Sequence, residues 1–164
     1  LHHASHGPPP HRFAAGRNWR ERGDLLTLET WFWIAHVPAL AGWLALIVAP
    51  GSGVRFARWA AVALAAGYTI LFVLSAREAG VLAEDYSLRG VAAFFDVPKL
   101  QLLGWVHYLA FDLFVGSWIA EEGGRLGMSR PLVILCLVLT FMIGPFGLLV
   151  FFLLRAMRRN SIAS

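Results

Sequence analysis

Charge is scarce in this chain: Asp, Glu, Lys and Arg make up 15% of its 164 residues, where an ordinary soluble domain carries about 25%. Cysteine occurs once, as Cys136 inside an apolar run, so no intrachain disulfide exists and the thiol reads as a small hydrophobe. No glycine-rich phosphate loop, nucleophile elbow or pair of cysteines is present, which removes nucleotide-loop enzymes, serine hydrolases and thiol redox centres from consideration. Histidine is thin where it would matter. The apolar stretches hold only His36 and His107, too few for membrane di-iron oxidases or desaturases, so no metal is expected. The other histidines, His2, His3, His6 and His11, sit with Pro8-Pro9-Pro10 in a leader that reads as a disordered tail. That leader lacks the short apolar core of a cleavable signal peptide. Basic residues outnumber acidic ones, 14 to 10, and the pI is near 10.0. They are scattered around apolar segments, which excludes a nucleic-acid stripe and leaves lipid head groups as the anionic neighbours.

What the chain does have is apolar length. Hydrophobic residues reach 58%, with a mean hydropathy of +0.62, and four stretches approach the roughly 20 helical residues that cross a hydrocarbon core. They cover about 31–49, 56–76, 100–120 and 131–154. The expected fold is all-α: an integral membrane four-helix bundle over residues 30–155, flanked by a polar tail (1–29) and a basic tail (156–164). Pro50-Gly51-Ser52-Gly53 makes a tight hairpin between the first two stretches, and Pro131 suits the first turn of the fourth. Between the second and third, residues 82–95 fit either a short amphipathic helix on the membrane surface or a plain loop. Four crossings place both termini on one side. The basic residues then divide ten to four in favour of that side, which the positive-inside rule makes cytoplasmic. No internal repeat is visible, and charged pairs are rare in the spans, both of which weigh against a transporter.

One stretch stands out. HYLAFDLF, residues 107–114, places Asp112 near the middle of the third span. A carboxylate there costs at least about 2.5 kcal/mol, so it should turn toward the bundle interior, and a functional role is the default reading. At 100° per residue, Gln101, Trp105, Tyr108, Asp112 and Ile119 share one helix face. Tyr108 and Asp112 are four apart and can meet, whereas His107 points about 140° away from Asp112. His36, two residues before Pro38, reads either as an interhelical hydrogen-bond anchor or as a ligand-site residue, and the proline kinks the first helix. Either His36 or His107 remains open as a chlorophyll-magnesium ligand. Gly144-Pro145-Phe146-Gly147 interrupts the fourth stretch, and backbone groups freed there must meet protein or a cavity.

Three segments carry a family resemblance: PKLQLLGWVHYLAFDLFVGSWI (98–119), GRLG (124–127) and LTFMIGPFGLLVFFLLR (139–155). Together they resemble the abscisic-acid-deficient membrane family, whose plant member is associated with neoxanthin synthesis. The first span joins more loosely, through Pro38, Trp43 and Pro50. LAFDLFVG and LTFMIGP are similar to the bacterial branch, which implies a bacterial inner membrane. The resemblance implies a carotenoid, specifically a xanthophyll, as substrate or bound ligand. In the plant reaction a 5,6-epoxide becomes an allenic alcohol without net redox change, which needs a general base and a general acid. Carried onto this chain, the resemblance makes Asp112 the proton acceptor and His107 or Tyr108 the donor. Trp105, Phe111 and Phe114 would support the polyene, with Gln101, His36 and Pro145 as further ligand-site candidates. Two function classes follow: an epoxide-opening isomerase within the bilayer, or a non-catalytic carotenoid-binding or assembly subunit of a larger membrane pigment or redox complex.

Overall fold

The computed structural model describes residues 14–79 and 87–163, with side chains from Thr27 to Ser75 and from Ser87 to Arg158. The expectation of a disordered His- and Pro-rich leader falls outside the described residues. Six helices follow in order: α1 Ala14–Val48, α2 Ser52–Ala79, α3 Leu88–Phe95, α4 Pro98–Arg125, α5 Arg130–Ile143 and α6 Pro145–Ala163. Among the described residues all regular structure is helical, as the apolar periodicity predicts.

Three helices are long and apolar enough to cross a membrane, over Thr27–Val48, Ser52–Ser75 and Pro98–Arg125. α1 and α2 reverse at Pro50-Gly51, where Gly51 takes φ +90°, a conformation that side-chain-bearing residues rarely adopt. α4 is the central helix and packs on α1, α2 and α5. Its approach to α1 depends on bare backbone: a Cβ on Gly116 would stand 2.6 Å from the Trp43 ring, and one on Gly42 would stand 2.7 Å from Leu113. Close backbone contact of this kind drives helix association in lipid, where apolar burial gives little advantage. Outward faces carry Trp33, Leu44, Trp59, Phe111 and Met142, each more than half exposed, as a lipid-facing surface requires. Of the two readings of residues 82–95, the helical one holds for 88–95, where the Ser87 hydroxyl accepts from the Gly90 amide at 3.2 Å and starts α3.

The fourth stretch departs from expectation. Residues 131–154 do not form one span; α5 and α6 fold back on each other around Gly144. Gly144 adopts φ +52° and ψ −106°, and Pro145 has no amide to offer the carbonyl of Phe141 one turn earlier, so the helix ends. The reversal is tight because Gly147 presents a bare Cα against the Thr140 backbone. α6 then runs back along α4: Trp118 meets Phe151 edge-on at 5.3 Å, Arg155 pairs with Glu122 at 2.8 Å, and Arg158 donates to the Gly127 carbonyl at 3.0 Å. α5 rises only about 21 Å over its 14 residues, short of the roughly 30 Å hydrocarbon layer. In place of a fourth long helix there is thus a hairpin of two shorter ones, whose tip at Gly144 lies against the middle of α4.

Arg158 lies by the α4–α5 turn, and Arg130 at the start of α5 donates to the Ile47 carbonyl at the end of α1. The end of α6 thus shares a face with the α1–α2 turn, opposite the start of α1. The termini were expected on one side because the last stretch was counted as a crossing. Moving Arg155, Arg158 and Arg159 across turns the ten-to-four split of basic residues into seven against seven. Charge count alone no longer orients the chain.

Candidate functional site

Asp112 sits near the middle of α4, one turn beyond Tyr108, and both side chains face the hairpin tip. The Tyr108 hydroxyl donates to the Phe141 carbonyl at 3.2 Å. That acceptor is the one Pro145 leaves free, so the break in the hairpin and the phenol on α4 satisfy each other. The phenol also stands beside the Asp112 carboxyl group. Asp112 Oδ2 is shielded from solvent and makes no hydrogen bond among the described residues. Gly144 lies directly opposite: a Cβ there would be 3.5 Å from Oδ2 and 3.7 Å from Oδ1. The backbone at φ +52° is what calls for glycine here, and it sets the tip in ordinary contact with the carboxyl group.

Toward the start of α4 the same face continues into α1. His36 Nδ1 donates to the Phe32 carbonyl at 2.7 Å, and its Nε2 accepts from Trp105 Nε1 at 3.2 Å. Both ring nitrogens are engaged, which places the proton on Nδ1 and fixes the ring. Trp105 stacks on Phe32 at 5.6 Å and lies 5.4 Å from the Tyr108 ring. Above it, Leu28, Glu29, Phe32, Pro98, Gln101 and Trp105 line an open groove of about 400 Å³. A polar and aromatic seam therefore runs from Glu29 and Gln101 at the surface, past His36 and Trp105, to Tyr108 and Asp112. It spans about 16 Å along α4 from Gln101 to Asp112.

The predicted site residues divide between two faces. Asp112, Tyr108, Trp105, Gln101 and His36 share the seam, and Pro145 forms half of the hairpin tip at its deep end. His107, Phe111 and Phe114 do not join them. His107 stacks on Phe111 at 4.4 Å and meets Tyr68 of α2 edge-on at 5.6 Å. Phe111 and Phe114 line a recess of about 270 Å³ with Ala61, Val62 and Ala65. The five-residue offset of His107 from Asp112 keeps them apart because α4 stays helical throughout.

Sequence reasoning missed Phe32 and Phe141 as carbonyl partners, and Glu29 as a groove residue. Nothing local marks the first; Phe141 was recoverable, since Pro145 four residues later withdraws its amide. Among the described residues no three His, Cys, Asp or Glu side chains gather as a metal site. The pair that does form, a phenol beside a carboxyl group midway along α4, is equipped to move a proton. A separate groove of about 240 Å³ between α1 and α2, lined by Trp31, Ile34, Pro38, Gly67, Leu71 and Val106, is almost wholly apolar.

The family model described as ABA DEFICIENT 4-like matches residues 30–151, which takes in α2 to α5, the membrane part of α1 and the first turns of α6. No curated protein and no solved structure matches the chain.

Proposed function

Because the chain belongs to the ABA DEFICIENT 4-like family, we propose that it binds a carotenoid, specifically a xanthophyll, within the bilayer and assists acid/base opening of a 5,6-epoxide. In that step Asp112 takes the proton from the carbon next to the epoxide, and the electron pair of the broken C–H bond becomes a new double bond. The adjacent C–O bond breaks, and its oxygen receives the Tyr108 proton to become a hydroxyl. A proton passed from Asp112 to Tyr108 restores both groups, so the reaction is an isomerisation with no net redox change. The single observation that carries this reading is the Tyr108–Asp112 pair held against the Gly144 tip, with the donor role falling to Tyr108 because His107 faces α2.

Trp105, tilted beside Tyr108, gives a flat apolar surface for the polyene in this reading. The bilayer is that of a bacterial inner membrane, with phospholipids as constant neighbours. The test is pigment analysis of membranes from cells that make an epoxidised xanthophyll and express this chain. The expected result is a new allenic product, lost about 10²-fold or more in Asp112→Asn and Tyr108→Phe at equal protein level. Unchanged conversion in Asp112→Asn overturns the assignment.

The apolar α1–α2 groove favours a second reading, a carotenoid holder or assembly subunit without chemistry. Its signature is unaltered carotenoid copurifying with the protein, or a larger membrane complex lost when the chain is deleted.

A further inference from the structure

The re-entrant hairpin creates a cavity far from Asp112, on the face where α4 ends and α6 returns. Gly127, Ser129, Leu132, Leu154, Met157 and Arg158 line it, in a volume of about 340 Å³. Its two halves differ in chemistry. Leu132, Leu154 and Met157 form an apolar wall from facing turns of α5 and α6, while Arg158, Ser129 and the backbone of Gly127 form a polar rim. Arg158 spends one nitrogen on the Gly127 carbonyl at 3.0 Å, which aims the guanidinium across the mouth with further N–H groups available. Ser129 is the N-cap residue of α5, yet its hydroxyl makes no capping bond, so it too can turn to a ligand.

Charge in this region is positive. Glu121 is held by Arg58 at 2.7 Å, with Arg125 acting on the same carboxylate, and Glu122 by Arg155 at 2.8 Å, so among the described residues arginines outnumber carboxylates at this end, with Arg130 and Arg158 the excess. The α5 N terminus adds its own partial positive charge beside Ser129. The cavity lies beside the end of α4, whose candidate span is Pro98–Arg125, the level at which a membrane-crossing helix meets head groups.

We propose that this cavity is a binding site for an anionic phospholipid, with the phosphate on Arg158 and Ser129 and the start of an acyl chain along Leu132, Leu154 and Met157. A free phosphate would use the rim alone and leave the apolar wall unfilled, which is why a lipid is the better match. Basic pockets between membrane helices recognise head groups by the same combination of guanidinium and hydroxyl donors. A lipid seated here spans α5, α6 and the α4–α5 turn, so it braces the hairpin.

The experiment uses the full chain purified in detergent, with thermal unfolding followed after adding phosphatidylglycerol, phosphatidylcholine or inorganic phosphate. Phosphatidylglycerol should raise the midpoint by several degrees and phosphatidylcholine by much less, with phosphate alone giving no comparable shift. In Arg158→Gln the apparent affinity for phosphatidylglycerol should fall about tenfold. Ser129→Asp guards against misfolding, because Asp is itself a favoured N-cap residue, yet it places a negative charge on the rim and should abolish the shift. Equal shifts from both lipids, an equal shift from phosphate, or full retention of the phosphatidylglycerol effect in Ser129→Asp each overturn the proposal.

Discussion

At Gly144 the demand is on the backbone: φ is +52°, a conformation that side-chain-bearing residues rarely adopt, while the Asp112 carboxyl group opposite leaves ordinary contact distance for a Cβ. Gly144→Ala therefore meets backbone strain, and a residue held in so sparse a region of backbone space costs about 1–3 kcal/mol. The expected result is a clear fall in the thermal midpoint of the detergent-solubilised protein, with the hairpin affected before the α1–α2 pair. His36 poses a subtler case. Its Nε2 is the acceptor for Trp105 Nε1, so His36→Phe removes that bond, and because Trp105 is partly exposed the loss should be about 0.5–1.5 kcal/mol. His36→Gln offers a side-chain oxygen in its place and should recover part of the loss; equal destabilisation by both variants would show that the bond contributes little.

Among the elements, the first three spans were legible for a plain reason. Apolar length, Pro50-Gly51 and the Tyr108–Asp112 spacing are all local patterns, and local geometry follows from them. The hairpin was not legible. Gly144-Pro145 announces a break, but the angle of a break is decided by what the returning helix touches. Here those partners lie far off in sequence: Gly147 on Thr140, Phe151 on Trp118, and Arg155 on Glu122. The His36–Trp105 bond escaped for the same cause, joining residues 69 positions apart. The α6 clasp is testable through its ion pair. Arg155 and Glu122 are the more enclosed pair, at 25% and 16% side-chain exposure against 38% and 41% for Arg58 and Glu121. Exposed pairs contribute about 0–1 kcal/mol, so Arg58→Gln should be nearly silent. Arg155→Gln should destabilise more, since it also removes the cation over the Trp118 ring, 5.8 Å away. Gly147→Val is the harsher probe: a branched side chain cannot fit against Thr140, and the hairpin should open to protease.

For the molecule as a whole, the hairpin changes which parts of the chain share a compartment. Four crossings put the C terminus with Ser87 and the α2–α4 connection. Three crossings and a re-entrant pair put it with Ser52 in the α1–α2 turn and with Ser129 in the α4–α5 turn. The native thiol does not interfere with cysteine mapping, because Cys136 is fully buried. Single replacements Ser52→Cys, Ser87→Cys and Ser129→Cys, each carrying a C-terminal tag, can therefore be reacted with a membrane-impermeant maleimide in intact cells and in inverted vesicles. Tag exposure should track Ser52→Cys and Ser129→Cys, with Ser87→Cys reporting the opposite face. If the tag instead follows Ser87→Cys, α6 crosses the bilayer and the Arg155–Glu122 clasp cannot exist in the membrane. Asp112 would then lose the backbone tip that encloses it. Absolute orientation comes from this labelling. The labelled side that proves cytoplasmic also decides whether the Glu29–Gln101 mouth of the seam opens toward the cytoplasm or away from it.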